Sequence, residues 1–219
     1  MSIAVAAPPW SLTGDGFIWL FKFSRTFVEQ NGFLAEWQRG ALKHTLGAMM
    51  LVDYRETPVG PYRELLFIPG TFEFGRLRLF SISKIYVSTQ ASVHNGIENW
   101  GIPKELADFT RESQADGSDV MTASVNGQAF FSSKLAPFGP RLPVTSSLLP
   151  VPLRIGQQLR GDLLVTQPSA SGTARLCRAH DLRIDARLFP DVSQMQPLAV
   201  IAVNDFRMTF PEPDRAGRM

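Results

Sequence analysis

Residues 17–23, Phe-Ile-Trp-Leu-Phe-Lys-Phe, form a nearly unbroken apolar run bounded by Gly14, Gly16 and Ser24. A run this short, rich in aromatic and branched side chains, predicts a strand buried on most of both faces. Residues 46–52 read the same way. Over residues 76–87 polar and apolar positions mix among β-formers, which predicts one long strand. Residues 119–135 carry Asn126-Gly127, a pair suited to a two-residue hairpin turn because both positions accept positive φ. Further strand-like segments lie at 162–166, 174–188 and 198–203, set apart by Pro, Gly and Ser clusters. Long amphipathic helices are scarce. Residues 36–44 predict one short helix and residues 103–109 another, since Pro103 suits a first helical position. Many short strands with few helices predict a mainly β chain, a barrel or a sandwich, folded as a single domain over residues 1–219.

An apolar fraction of 44% in 219 residues supplies a substantial core. The charges nearly balance at a formal +2, and Lys and Arg are scattered instead of gathered, which argues against nucleic acid as a partner. One cysteine, Cys177, permits neither an intrachain disulfide nor a thiolate metal cluster and fits a reducing compartment. Residues 1–10 lack the positive and long apolar regions of an export signal, and no apolar stretch is long enough to span a bilayer. The expectation is a cytoplasmic protein with no membrane partner.

Several common site patterns are absent: the Walker loop, the Rossmann glycine fingerprint, His-Glu-x-x-His and Gly-x-Ser-x-Gly. His44, His94 and His180 are far apart, show no ligand spacing and read as structural histidines. What stands out is Gly96-Ile97-Glu98-Asn99-Trp100-Gly101-Ile102-Pro103-Lys104-Glu105, preceded by Pro58-Val59-Gly60-Pro61-Tyr62-Arg63-Glu64. The spacing Gly-x-Glu-x-x-x-x-Pro-Lys, after an earlier Gly-x-Tyr-x-Glu, resembles the acetoacetate decarboxylase-like superfamily. The resemblance runs weakly from Pro8-Pro9-Trp10 to Gln196-Pro197-Leu198 and is strongest between Tyr54 and Phe109.

The resemblance implies an antiparallel β-barrel with a few short helices, assembled as a homo-oligomer, whose interior holds a lysine that forms a Schiff base with a keto acid. By position Lys104 matches that lysine, and Glu64 matches a glutamate that faces the substrate and can move protons. Acetoacetate decarboxylase is itself a standing example of a lysine activated by desolvation or a cationic neighbour. The implied activity is that of a lyase, by decarboxylation or by aldol and dehydration chemistry, with no metal or organic cofactor. Tyr62, Trp100, Met49 and Glu105 are the expected substrate-binding positions. Three departures from the family pattern stand out. Glu105 occupies the place of a second lysine, Asp15 falls at or near a carboxylate-binding arginine, and Met49 falls at a second pocket glutamate. A pocket so altered is expected to take a bulkier or less charged carbonyl compound than acetoacetate.

A free lysine amine titrates near 10.4, about 3 pH units above neutrality, and full burial can close that gap. A helix starting at Pro103 would add a small unfavourable field for an ammonium, while Glu105 would oppose it if close, or else serve as an ordinary acid of a first helical turn. The plainer readings stand beside these: Lys104 as a surface lysine, and Glu64 as the cross-strand partner of an arginine. Likewise Trp19, Phe21, Phe23, Phe67, Phe130 and Phe131 line an apolar cavity or simply fill the core. Arg76 and Arg78 are carboxylate binders or solvated strand positions. The alternative function is a non-catalytic barrel that binds an apolar small molecule. A pure assembly module has little support, because no charged tail or amphipathic partner helix is evident.

Overall fold

The computed structural model describes residues 3–148 and 152–218; of the stretch read above for an export signal, residues 1 and 2 lie outside them. In chain order the strands are β1 (Trp10–Lys22), β2 (Leu42–His44), β3 (Leu46–Glu56), β4 (Tyr62–Ile68), β5 (Thr71–Phe74), β6 (Leu77–Phe80), β7 (Lys84–Val87), β8 (Lys104–Leu106), β9 (Asp108–Ser113), β10 (Asp119–Val125), β11 (Gln128–Thr145), β12 (Ile155–Leu159), β13 (Asp162–Thr166), β14 (Ser169–Ile184), β15 (Ala199–Phe210) and β16 (Asp214–Arg218). The described helices are α1 (Arg25–Asn31) and α2 (Gln90–Trp100).

Ten strands form one sheet in the order β8-β7-β4-β3-β1-β15-β14-β11-β10-β9. Its two edge strands, β8 and β9, are separated in sequence only by Ala107, so the sheet nearly closes on itself. Aromatic contacts show which face turns inward. Tyr86 on β7 and Phe130 on β11 lie far apart in the strand order, yet their ring centroids are 4.7 Å apart. That inner face carries the large apolar cluster of Phe17, Trp19, Met49, Leu51, Phe67 and Phe131, so the aromatic residues noted in the sequence are core. A second cluster, including Trp10, Val52, Tyr54, Tyr62, Ile85 and Trp100, lies on the opposite, outer face, and α2 packs over it. The second sheet has six strands in the order β16-β13-β12-β6-β5-β2.

The hairpin forms where the sequence puts it: Asn126 and Gly127 adopt φ of 52° and 76° and Val125 pairs with Gln128. Three expectations are corrected. Residues 76–87 do not make one strand, because Ser81, Ile82 and Ser83 carry the chain from β6 in the second sheet to β7 in the first. Buried serines satisfy the backbone there: Ser81 Oγ donates to Gly156 O at 2.8 Å and Ser83 Oγ to Gly32 O at 2.6 Å. Residues 36–44 hold one 3₁₀ turn, Glu36–Gln38, and then β2; Gly40 at φ 76° breaks the path between them. Residues 103–109 hold β8 and the start of β9 instead of a helix. The helix lies just before them, and Pro103 follows its end as a stop signal. Gly101, at φ 66°, closes α2, with its N–H donating to Ile97 O at 2.9 Å. A side chain there would also meet Gln158 O at 2.6 Å, so glycine is required twice over.

Candidate active site

Lys104 begins β8 and pairs in parallel with Ile85 of β7, which aims its side chain at the outer face beneath α2. On β4 and β3, Glu64 opposes Val52 and Tyr62 opposes Tyr54, so strand alternation brings Tyr54, Tyr62 and Glu64 to that same face. Lys104 Nζ lies 2.9 Å from Glu64 Oε2. It donates to Ser92 Oγ at 3.0 Å and to the Tyr62 hydroxyl oxygen at 3.3 Å. An ammonium has three donors, and here each has an acceptor. Tyr54 completes the cluster by donating its hydroxyl to Glu64 Oε1 at 3.3 Å. Lys104 and Glu64 are only 7% and 4% exposed, so this ion pair is enclosed.

Helix α2 supplies two parts of the site. Thr89 caps its first turn by accepting from Ser92 N at 3.2 Å, which fixes Ser92 over the amine. One turn later comes Gly96. A β-carbon on Gly96 would sit 2.5 Å from Lys104 Cδ and 2.8 Å from Cε, so the lysine stem lies in a hollow that only glycine leaves open. The glycine of the sequence motif is thus a seat for the lysine.

The electrostatics differ from the expectation of a depressed amine. Burial pushes Lys104 down and is the largest influence, but the Glu64 carboxylate and the Tyr62 oxygen together outweigh it, and the amine ends above its ordinary value. Burial also pushes the Tyr54 phenol well up, reinforced by Glu64. Tyr62 is raised by burial against the opposing pull of Lys104.

Of the sequence-predicted residues, Lys104, Glu64 and Tyr62 come together. Trp100 shares their apolar cluster, but its Nε1 donates to Pro211 O at 2.8 Å and its ring packs edge-on with Trp10 and Phe210. Met49 opposes Phe67 in the inner core, one residue out of phase with the site-facing Met50 and Val52. Glu105 turns away to Lys84 Nζ, 2.5 Å off. Asp15 pairs with Arg55 at 2.5 Å and accepts from Asp205 N at 2.8 Å. The positions at which the sequence departs from the family pattern therefore lie away from the amine. Arg76 and Arg78 are exposed, and Arg78 reaches Glu73 at 4.0 Å. Sequence reasoning missed Tyr54, Ser92 and the role of Gly96. Their signal was the helix itself: Thr89 as a cap, then Val93, Ile97 and Trp100 at helical spacing, then Gly101. Among the described residues no group of three or more metal-ligating side chains converges, and no helix is long and apolar enough to cross a membrane.

A family model described as acetoacetate decarboxylase matches residues 36–154. The chain is 28% identical over 119 residues to Protein NEOXANTHIN-DEFICIENT 1 of Arabidopsis thaliana, an alignment covering 52% of this chain and 41% of that protein. It therefore spans about two fifths of the length of that curated relative. Among solved structures, acetoacetate decarboxylase from Legionella pneumophila superposes with a TM-score of 0.74 at 14% identity, covering 100% of this chain and 90% of that one. An acetoacetate decarboxylase-like enzyme from Sphingomonas wittichii RW1 gives 0.69 at 10% identity, covering 100% and 98%. The enduracididine biosynthesis enzyme MppR complexed with pyruvate gives 0.65 at 14% identity, covering 96% and 91%. These structural likenesses establish the fold.

Proposed function

This chain belongs to the acetoacetate decarboxylase family, and from that premise we propose that Lys104 condenses with a carbonyl compound while Glu64 takes and returns the protons. The observation that carries the reading is the enclosed Lys104 Nζ with the Glu64 carboxylate 2.9 Å away. In the resting state the amine is an ammonium. Transfer of one proton across that distance to Glu64 leaves a neutral amine and a neutral acid, and removes two charges from a buried place where each is costly. The amine lone pair then attacks the carbonyl carbon to give a carbinolamine. Glu64 returns its proton to the carbinolamine oxygen, water leaves, and the product is an iminium facing a carboxylate.

That end state has the same charges in the same places as the resting pair. Surroundings that raise the Lys104 amine by favouring a positive nitrogen therefore also favour the iminium, which is the electron sink for decarboxylation, aldol or dehydration chemistry. Among the described residues, the partners of Lys104 and Glu64 include no second cation. The pair is neutral overall, so a neutral ketone or aldehyde fits it better than a keto acid, whose carboxylate would be buried unpaired. MppR has been seen with pyruvate and with a condensation product of pyruvate and an aldehyde, so carbonyl condensation is chemistry that this fold accommodates.

The test is borohydride reduction in the presence of ketones, aldehydes and keto acids, followed by mass spectrometry of the Lys104 peptide. A reduced adduct on Lys104, absent in Lys104→Ala, is the expected outcome, with neutral carbonyls trapped better than keto acids. The full set of acceptors around the ammonium also favours a second reading, a non-catalytic barrel in which Lys104 and Glu64 are a structural ion pair. Absence of any adduct, with Lys104 still charged above about pH 10, selects that reading.

A further inference from the structure

Trp19 Nε1, Arg175 Nε and Asn204 Oδ1 are buried polar atoms without a hydrogen-bond partner among the described residues. All three belong to the inner face of the barrel, opposite to Lys104. Trp19 sits in the inner core. Arg175 opposes Ala202 of the same core, and Asn204 opposes Thr173, two residues from Arg175 on the same face of β14. Arg175 and Asn204 are thus diagonal cross-strand neighbours, close enough for one small molecule to touch both. Burial pushes the Cys177 thiol up to about 11, against a smaller downward pull that includes the Arg175 charge, which agrees with a guanidinium turned inward.

Three other arginines at this end of the barrel, Arg55, Arg63 and Arg111, are matched with carboxylates, whereas the exposed Arg207 has no ion-pair partner among the described residues. Arg55 lies 2.5 Å from Asp15 and 2.8 Å from Asp205. Arg63 lies 3.2 Å from Asp53, and Arg111 bridges Asp53 at 3.2 Å and Asp119 at 2.8 Å. Arg175 has no such partner among the described residues, although its Nε is buried. A groove of about 550 Å³ opens at Thr173, two residues along β14 from Arg175, and is lined in part by Ser171, Thr173, Asp205 and the exposed Arg207. That volume suits a small molecule, and Thr173 joins the groove to the Arg175–Asn204 pair.

We propose that this mouth of the barrel is a second ligand site, separate from Lys104, that takes a small hydroxy acid. Its carboxylate would lie on the Arg175 guanidinium, which offers a donor fork of the matching shape. Its hydroxyl would donate to Asn204 Oδ1. A bare oxyanion satisfies the first group but not the second, and ordered water satisfies either without discrimination.

Calorimetric titration of the full chain with glycolate, acetate and inorganic phosphate tests this without reference to the Lys104 reading. Glycolate binds more tightly than acetate or phosphate, and Arg175→Met weakens it by roughly tenfold or more. Asn204→Ala removes the preference of glycolate over acetate. No heat with glycolate, equal or tighter binding of phosphate, or unchanged glycolate affinity in folded Arg175→Met overturns the proposal. If Arg175→Met does not fold, a crystal of the unmodified chain soaked in glycolate decides. Density for glycolate between Arg175 and Asn204 supports the site, and water alone overturns it.

Discussion

The two faces of the ten-stranded sheet handle charge in opposite ways. On the outer face one ion pair is sealed beneath α2, and every ammonium proton of Lys104 has an acceptor. At the inner mouth arginines and aspartates form a shared, partly exposed network in which Asp53 serves both Arg63 and Arg111, while Arg175 Nε and Asn204 Oδ1 have no partner among the described residues. The same pleat produces both, because a single step along β3 or β4 switches a side chain from one face to the other. The difference teaches that charge count says little. A saturated, enclosed pair can hold or move one proton in a defined direction, whereas an open network with free groups can receive something from outside.

Breaking the outer pair has the largest expected effect. Glu64→Leu leaves a buried ammonium without its counter-charge and lowers unfolding free energy by about 3–5 kcal/mol. The double variant Glu64→Leu with Lys104→Met recovers most of that loss, which chemical denaturation of the full cycle measures. Additive losses in the double variant would mean that the two groups act independently.

Varying pH separates the faces. Lys104 is raised in the folded chain, so its contribution is complete below the ordinary lysine value of 10.5 and is lost as pH rises through the folded value. Asp119 behaves in the opposite sense. Burial pushes it up, but bonds from Arg111 and Ser113 hold it below its ordinary 3.8, so its contribution is present above that value and is lost as pH falls through the folded one. Amide exchange followed across acid and alkali should therefore show β9 and β10 loosening at the acid end and β8 with α2 at the alkaline end. Uniform loosening at both ends would contradict the separation.

The smallest effect belongs to Glu105, which is exposed and bound to Lys84. Glu105→Gln costs about 1 kcal/mol, since the Glu105 carboxylate is exposed although the Lys84 side chain is largely covered, and leaves borohydride trapping at Lys104 unchanged. A large loss of trapping would place Glu105 in the site after all.

Much of the barrel was legible because its signals are local. Asn126-Gly127 fixes a hairpin by backbone geometry, and the run at residues 17–23 announces a strand, although its burial alternates instead of covering both faces: Phe17, Trp19, Phe21 and Phe23 are buried, Ile18 and Leu20 half-buried and Lys22 exposed. The break at residues 81–83 was not legible, since Ser81 and Ser83 look like ordinary polar strand positions until their bonds to Gly156 and Gly32 are seen. Helix α2 is hard to read from the sequence because its polar residues outnumber its apolar ones, and the Pro103 beyond its end looks like a first helical position. For the site, the resemblance supplied Lys104 and Glu64, but which face each neighbour occupies depends on register. A shift of one residue separates Met49, in the inner core, from Met50, on the face of Glu64. No local pattern encodes that phase.

Helix α2 gives the amine both the Ser92 hydroxyl and the hollow at Gly96, and α2 is only 11 residues long. A helix of that length is marginal in water without the surface it rests on. The nucleophile therefore inherits the local stability of a short helix and not that of the barrel strands around it. Fraying of α2 would hydrate Lys104 and scatter its acceptors while the sheet stays intact, so reactivity can vanish under conditions in which every global measure of folding still reports a native protein.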